Sequence, residues 1–534
     1  MSIIRPLPSS INPKSESFQE NRKDMLEALD QLAAKLKESR FQGKAKHLEK
    51  AKAAGKFTAR ERIELCLDQD SPFLELLPLA GLGGKGFGTG GTTVGGIGLV
   101  AGKLCLLIAN VGTHKGGAVD YATLQKSLRF GEIALKNKLP VINLVESAGA
   151  NLPEQARIFN HGGATFREIT RRSKLGLVTI SVVFGNSTAG GAYVPGMSDY
   201  AIFVKNNAKV FLAGPPLVKM ATNEIVDDES LGGAGMHSSI SGVSDYLAED
   251  ERDAIRLARE IMEHIPEPES APIEEPIEEP LYPQEEILGI LPSKLKKPLD
   301  VLELIARIID GSRFHHFKPD YGSTLVCGFA RIHGHRMGIL ANQGVLFSEA
   351  ANKGAHFIQL CNQQGIPLLF LQNITGFMVG RQYEEEGIIK HGAKLINAVS
   401  NSTVPAITIM IGASYGAGNY AMMGRAFEPN FLFAYPNAKI AVMGSEQLSG
   451  VMESIQRESM LKAGLPIDEE QSRMMREHLV KEVEKESNAW YASGQSWDDG
   501  IIDPRDTRTV LGICLSVIHQ HKIEKNNQFG VFRM

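Results

Sequence analysis

Two apolar runs rich in β-branched residues, 177–184 and 404–411, each give way to a cluster of small residues and then to a stretch with helical spacing. The first cluster reads Gly185-Asn186-Ser187-Thr188-Ala189-Gly190-Gly191-Ala192-Tyr193. The second, Gly412-Ala413-Ser414-Tyr415-Gly416-Ala417-Gly418-Asn419-Tyr420, repeats its plan 227 residues later. An uninterrupted apolar run of this length closed by glycine predicts a buried strand, a turn and a helix N-terminus. The same offset separates Pro140 from Pro367 and Gly149 from Gly376, while Asn207-Ala208-Lys209-Val210 returns as Asn437-Ala438-Lys439-Ile440 after 230 residues. The chain therefore reads as two copies of one unit that differ by a short loop between these landmarks.

The remaining pattern fills in each copy. Residues 94–110 predict paired strands around Gly102-Lys103, and 325–342 predict their counterparts around Gly334-His335. Helices are expected at 120–137 and 350–363, each leading to an apolar strand, 141–145 and 368–371. Buried strands alternating with helices imply an α/β fold with a mainly parallel sheet in each copy. Ahead of the first copy, residues 20–54 carry Met25, Leu26, Leu29, Leu32, Ala33 and Leu36 at helical spacing, an amphipathic arm expected to pack on its own domain or on another subunit. A short helix opens at Lys56-Phe57-Thr58-Ala59-Arg60-Glu61-Arg62, and a glycine-rich loop spans 81–91. Past the second copy, 468–487 predict a charged helix and 510–519 a last apolar segment.

Composition sharpens this in a few places. At 534 residues the chain can bury two large cores. The Pro/Glu-rich stretch between the copies is stiff and solvated. We therefore expect an N-terminal domain at 1–265, a linker at 266–295 and a C-terminal domain at 296–534. A net charge of −4 gives no case for nucleic-acid binding. Five scattered cysteines without a CxxC suggest buried thiols in a reducing compartment. With Glu16, Glu20 and Asp24 and no apolar core near the N-terminus, the expected location is the cytoplasm. The uncharged run 404–424 has the length of a membrane span, but Pro405, Asn419 and its match to the first copy place it inside a domain, so no membrane contact is expected. His114, His237, His333, His335 and His391 lack metal-ligand spacing beside a carboxylate, and no metal is expected. Ser187 and Ser414 lack the G-x-S-x-G elbow of a hydrolase.

Small residues at a helix N-terminus have a chemical use. Bare backbone can aim N–H groups at a ligand oxygen, and the first amides of a helix are unpaired at the positive end of its dipole. Such a turn can hold an oxyanion, for example the enolate of a thioester. Glycine there serves close strand–helix packing equally well, so both roles stay open.

Thr188-Ala189-Gly190-Gly191-Ala192-Tyr193 paired with Tyr415-Gly416-Ala417-Gly418 resembles the carboxyltransferase β subunits of biotin-dependent acyl-CoA carboxylases. So do Lys56-Phe57-Thr58-Ala59-Arg60-Glu61-Arg62, Ala150-Asn151-Leu152-Pro153, Leu212-Ala213-Gly214-Pro215-Pro216-Leu217-Val218-Lys219, Leu231-Gly232-Gly233-Ala234, Asn373-Ile374-Thr375-Gly376-Phe377-Met378-Val379-Gly380 and the C-terminal Phe529-Gly530-Val531-Phe532-Arg533-Met534. The resemblance implies two tandem crotonase-like domains of the ClpP/crotonase ββα-superhelix type. It also implies transfer of CO₂ from carboxybiotin to the γ-carbon of a β-methyl, α,β-unsaturated acyl-CoA. No biotin-attachment site or ATP-binding module is present, so biotin would ride on a partner α subunit carrying biotin carboxylase and carrier functions, in an α6β6 assembly that includes β–β contacts.

Residue by residue, the resemblance implies that Gly190 and Gly191 stabilise the acyl-CoA oxyanion and Ala417 and Gly418 that of biotin. Ser147, Ala148, Gly149, Ala150, Gly162, Gly163, Thr188 and Ala189 would bind the acyl-CoA, and Thr375, Gly376, Phe377, Tyr415 and Gly416 the biotin. Two departures stand out. His161-Gly162-Gly163, in a loop about three residues shorter, replaces the His-Phe-Gly common in methylcrotonyl-CoA enzymes, and Ser147-Ala148-Gly149-Ala150 replaces Ser-Gly-Gly-Ala. Loss of an aromatic ring frees roughly 150–250 Å² of surface, which favours geranyl-CoA. A deletion that merely moves the ring's replacement elsewhere is the alternative, and it would leave 3-methylcrotonyl-CoA as the substrate. A reverse-running decarboxylase and an inactive scaffolding β subunit that binds acyl-CoA are the further options, the latter disfavoured by two intact glycine turns.

Overall fold

In the computed structural model, which describes residues 3–268, 276–292, 297–464, 466 and 469–534, both long apolar runs lead into interior strands of a sheet. The chain divides by its internal contacts into two units: Ala34–Glu269 with Ser493–Ser496, and Met1–Ala33 with Ser270–Ala492 and Trp497–Met534. The first unit holds β1 (Phe73–Glu75), β2 (Thr93–Val100), β3 (Lys103–Asn110), β4 (Val141–Ser147), β5 (Thr179–Thr188), β6 (Tyr200–Val204), β7 (Lys209–Phe211) and β8 (Tyr246–Ala248). Their order is β1-β2-β3-β4-β5-β6-β8, with β7 paired to the far end of β5. Pairing is antiparallel across β1, β2 and β3 and parallel from β3 onward.

The other unit repeats this plan with β9 (His315–Phe317), β10 (Leu325–Ile332), β11 (His335–Asn342), β12 (Leu368–Ile374), β13 (Ala406–Tyr415), β14 (Phe431–Ala434) and β15 (Lys439–Ala441), in the order β14-β13-β12-β11-β10-β9 with β15 on β13. Both ends of β4 and β5 match those of β12 and β13 at the 227-residue offset. The central strands are buried on both faces, as parallel strands covered by helices must be. Ile142, Leu144, Ile180, Val182 and Phe184 share one core with the helices Ala59–Cys66 and Glu251–His264. In the second unit Leu368, Phe370 and Ile374 pack with Phe357, Ile358 and Leu395 from the helices Ser348–Gln364 and Ile388–Ser400.

Each unit opens on a two-residue hairpin whose centre lies one residue earlier than the glycine pairs suggested. Ala101 and Gly102 have φ of 50° and 77°, and His333 and Gly334 have 48° and 80°, as a tight hairpin of this twist requires. A non-glycine residue at positive φ carries strain, and a carboxylate offsets it in both copies. Asp68 accepts the Ala101 and Gly102 amides at 2.9 and 2.7 Å, and Asp310 those of His333 and Gly334 at 3.0 and 2.7 Å. Arg259 holds Asp68 and Arg508 holds Asp310, at 2.8 and 2.7 Å.

Two boundaries differ from the expected 1–265, 266–295 and 296–534. The arm folds as helices Glu16–Ser39 and Ala45–Ala53, broken where Gly43 takes φ of 121°, and its first part belongs with the C-terminal repeat. There the Asn21 amide donates to Gly289 O at 3.1 Å, the Ser10 N–H to Glu303 at 2.7 Å, and Phe18 fills the space over Gly289. Of the linker, 269–275 and 293–295 lie outside the described residues. Its Ile287–Ile290 turn is buried, because the apolar Ile287, Leu288, Ile290 and Leu291 outweigh the surrounding Pro/Glu composition. All five cysteines are buried. Among the described residues, no helix is long and apolar enough to cross a membrane.

Candidate active site

In the first unit the ends of β4 and β5 come together through a β-bulge. Val145 pairs with Val183 and Ser147 with Ser187, so β5 advances two residues further than β4 and swings its end outward. Ser147 Oγ donates to Gly117 O at 2.7 Å, Ala148 N–H to Gly116 O at 2.9 Å, and Val119 N–H to Gly149 O at 2.9 Å, which pins Ser147, Ala148, Gly149 and Ala150 as a turn beside β5. Gly149 has φ of 84°, and a Cβ there would lie 3.1 Å from Thr188 O and 3.7 Å from the Ala189 methyl. The predicted acyl-side residues 147–150 and 188–191 are therefore neighbours.

Past Thr188 the chain enters a 3₁₀ turn, Ala189–Ala192, and then the short helix Tyr193–Met197. Thr188 supplies the turn's first acceptor, which draws in the amide three residues on, that of Gly191, and leaves those of Ala189 and Gly190 outside the ladder. Ala189 itself stands at φ of 54°. Ser187 is buried with its Oγ donating to Gly191 O at 2.9 Å, a structural tie rather than a nucleophile's setting.

Packing explains some of these glycines and not others. At Gly185 a Cβ would fall 2.6 Å from Glu146, and at Gly412 2.4 Å from Asn373. At Gly418 it would meet Ile374 at 2.5 Å. Gly416 combines φ of 55° with Val442 O at 2.9 Å. At Gly190 and Gly191, by contrast, the nearest atoms are Phe166 Cζ at 3.5 Å and Ser187 Oγ at 3.7 Å, ordinary contact distances. Packing therefore does not require glycine at 190 or 191.

Gly162 and Gly163 lie within the helix Gln155–Lys174, not in a loop. Two glycines are tolerated there because the flanking turns carry the helical pattern. A Cβ at Gly162 would meet only Ile158 Cγ2 at 3.8 Å, and at Gly163 nothing within 4 Å. One turn on, on the same face, Phe166 Cζ lies 3.5 Å from where a Cβ on Gly190 would stand, and its ring packs edge-on against Tyr193 with centroids 6.0 Å apart. Sequence reasoning missed Phe166, although an aromatic four residues after Gly162 was a usable signal.

The second unit brings its predicted group together in the same way. Gly376, at φ of 127°, follows β12; Gly376 O accepts the Leu346 amide at 3.0 Å, while Leu346 O accepts that of Met378 at 2.9 Å. Thr375, Gly376 and Phe377 thus sit over the helix Gly416–Ala421, whose Gly418 would carry a Cβ 3.5 Å from Gly376 Cα. Tyr415 caps that helix, and burial raises its phenol above the usual range. The helix is α from its start, so Ala417 and Gly418 amides lie among its unpaired first donors. Around Gly376 itself nothing would touch a Cβ within 4 Å. This open space lies beside the helix start that carries the two amides. Below, Ser414 Oγ donates to Gln372 at 2.6 Å and receives the Asn419 amide at 2.7 Å.

Sequence reasoning also missed what the Lys56 to Arg62 motif does. Lys56 Nζ and Arg62 Nη1 both donate to Glu146 at 2.7 Å, and Arg62 holds Glu251 through Nε and Nη2 at 2.9 and 2.7 Å. A lone glutamate in the apolar strand β4, directly before Ser147, was the visible sign.

Residues 50–532 match the family model of the carboxyl transferase domain. The chain belongs to this family. It is 54% identical over 529 residues, 99% of this chain and 100% of the relative, to a probable biotin-dependent acyl-coenzyme A carboxylase beta2 subunit of Mycobacterium tuberculosis. It is 47% identical, over 96% of this chain and 97% of the relative, to the biotin-dependent 3-methylcrotonyl-coenzyme A carboxylase beta1 subunit of the same organism. The crystal structure of the Pseudomonas aeruginosa geranyl-CoA carboxylase beta subunit superposes with a TM-score of 0.88 at 43% identity, covering 99% of both chains. The protein is thus a carboxyltransferase with the two-sheet, crotonase-like α/β fold of acyl-CoA carboxylase β subunits.

Proposed function

We propose that this carboxyltransferase is the β subunit of a biotin-dependent acyl-CoA carboxylase whose substrate is geranyl-CoA, carboxylated at the γ-carbon. The supporting observation is the open face of the helix Gln155–Lys174. Gly162 and Gly163 leave unfilled space one turn from Phe166, which itself borders Gly190. A long, branched acyl chain fits where a ring at 162 would stand.

In this assignment the outward amide at Gly190, with Gly191 beside it, receives the thioester oxygen as negative charge develops, and the turn of Ser147, Ala148, Gly149 and Ala150 lines the acyl group with Thr188 and Ala189. Thr375, Gly376, Phe377, Tyr415 and Gly416 frame the other ligand, whose oxygen the Ala417 and Gly418 amides receive. When bound there, biotin carries the carboxyl group to be transferred. It arrives on a biotin carboxylase and carrier α subunit, in an α6β6 assembly containing β–β contacts, and no metal takes part in this subunit. Five buried, unpaired cysteines support a reducing, cytoplasmic setting.

A second assignment, 3-methylcrotonyl-CoA, draws on Phe166, which already sets an aromatic wall against Gly190. The two separate in one experiment: kcat/KM for geranyl-CoA and 3-methylcrotonyl-CoA with the complex containing its own α subunit, repeated on Gly162→Phe. A Cβ at 162 would meet only Ile158 Cγ2 at 3.8 Å, so the backbone there admits a side chain, and geranyl-CoA activity of a folded variant is expected to collapse while the five-carbon substrate is spared. Equal or better use of 3-methylcrotonyl-CoA by the unaltered protein overturns the geranyl assignment.

A further inference from the structure

The structure assigns Glu146 as a positioning residue for the acyl-side turn, with Lys56 and Arg62 as the clamp that holds its carboxylate against the bulge of β5. It rests on the placement of the acyl site at Gly190 and Gly191 and not on which acyl-CoA is used.

The Glu146 carboxylate is hydrogen-bonded to Lys56 and Arg62 rather than to the predicted acyl-binding residues, yet it governs where they sit. Its carboxylate lies where side chains at Gly112 and Gly185 would be, with approach distances of 2.6 Å in both cases. Gly185 is in the bulge between the Val183 and Ser187 pairings, the segment whose extra length turns β5 outward toward Ala189 and Gly190. Arg62 also reaches the bulged strand, its guanidinium 4.3 Å from the centre of the Phe184 ring. Glu146 N–H is tied to Asn110 Oδ1 at 3.3 Å, which fixes the strand from which the carboxylate projects.

The clamp is built for rigidity. Arg62 is 1 % exposed, and its guanidinium faces two carboxylates and an aromatic ring. Glu251 also accepts the Phe57 amide at 3.1 Å, so the segment bearing Lys56 is anchored at its next residue. Two cations face two carboxylates, and the cluster is neutral beside a turn meant to receive negative charge. The second repeat corroborates the geometry. The same bulge lies between the Gln372–Met410 and Ile374–Ser414 pairings. At Glu146's place stands Asn373, whose Oδ1 accepts the bulge amide of Ala413 at 3.2 Å directly. A neutral amide binds the bulge without help, whereas a carboxylate in the same position needs cations to hold it.

The test uses the complex with its own α subunit and whichever acyl-CoA the unaltered enzyme carboxylates. Glu146→Gln keeps the side chain's shape and removes its charge, and Lys56→Met loosens one arm while leaving the Arg62 pairs with Glu146 and Glu251. A displacement of about 1 Å at a reacting centre costs on the order of 10²-fold in rate. Both variants are therefore expected to lose about 10- to 100-fold in kcat, with KM for acyl-CoA within about threefold and an unchanged far-UV spectrum. The double variant is expected to be no worse than the poorer single one, and Lys56→Arg to restore kcat. Unchanged kcat in folded variants overturns the proposal, as does a rise in KM alone, which would make Lys56 a substrate contact. If Glu146→Gln does not fold, Lys56→Met and its arginine rescue decide. An unaltered complex that carboxylates no acyl-CoA would instead fault the functional assignment itself.

Discussion

Gly190→Ala separates packing from chemistry. The added methyl would stand 3.5 Å from Phe166 Cζ, an ordinary contact, and Gly190 is not among the residues at positive φ. A glycine-to-alanine change at a compatible backbone removes unfolded-state entropy and stabilises by about 0.4–1 kcal/mol. For a unit of this size that raises Tm by roughly 1–4 °C. Catalysis should move the other way. A methyl on the ligand side of the turn keeps the thioester oxygen from the Gly190 amide, and loss of one such donor costs about 2.7–4 kcal/mol, or 10²–10³ in kcat. Gly418→Ala is the converse, since its methyl would lie 2.5 Å from Ile374, which is wholly buried. Overpacking of that kind costs about 1–3 kcal/mol, so Tm falls together with activity. Differential scanning fluorimetry beside steady-state carboxylation reads both quantities. A Gly190→Ala enzyme with kcat within threefold of the parent, or with a lowered Tm, refutes the view that this glycine serves the ligand.

Two further outcomes follow from the interior. Lys126 and Lys353 are repeat equivalents, both buried, but Lys126 Nζ donates to Gly90 O and Thr93 O at 3.3 and 2.7 Å while Lys353 Nζ has no hydrogen-bond partner among the described residues. A buried polar group left unsatisfied costs about 1–3 kcal/mol, so Lys353→Met should raise the urea midpoint and Lys126→Met should lower it; a matched change in both would contradict this. Burial, aided by the stacked His335 ring 4.2 Å away, holds the His519 imidazole down to about 4. An unfolded histidine takes its proton near pH 6.5, so between these values the unfolded chain binds more protons and stability falls as pH drops from 6.5 toward 4. His519→Phe should flatten the decline of Tm between pH 7 and 5, and an unaltered slope would exclude His519 as its source.

The fold was legible wherever local pattern and burial agree. The strands β4, β5, β12 and β13 are continuous apolar runs because both faces are covered, and duplication marked their boundaries twice over. Legibility failed where long-range contacts decide. Nothing local tells that Phe18 fills the space over Gly289, so the arm's attachment to the C-terminal repeat was hidden. The Pro/Glu composition around Ile287–Ile290 masked four buried apolar residues. His161-Gly162-Gly163 looked like a loop because glycine pairs usually break helices, yet the Gln155–Lys174 helix runs through them. At the site, sequence could nominate the glycine clusters but not sort them, since whether a glycine is needed for packing depends on the atom opposite it.

Sorting them exposes an asymmetry between the copies that duplication alone would not produce. In the C-terminal repeat, Gly412, Gly416 and Gly418 are each required by a neighbour or by φ, and the first amides of an α-helix present the donors. Of the matching cluster in the N-terminal repeat, Gly185, Gly190 and Gly191, only Gly185 is so required, while Gly190 and Gly191 lie in a 3₁₀ turn with room around them. A turn not braced by its own packing must be braced from below, and the charged set Lys56, Arg62, Glu146 and Glu251 occurs in that repeat, with the neutral Asn373 at the matching place in the other. One scaffold thus supports a tightly packed helix terminus in one unit and an open turn held by buried ion pairs in the other. In the proposed assignment the open turn is the one on the acyl side.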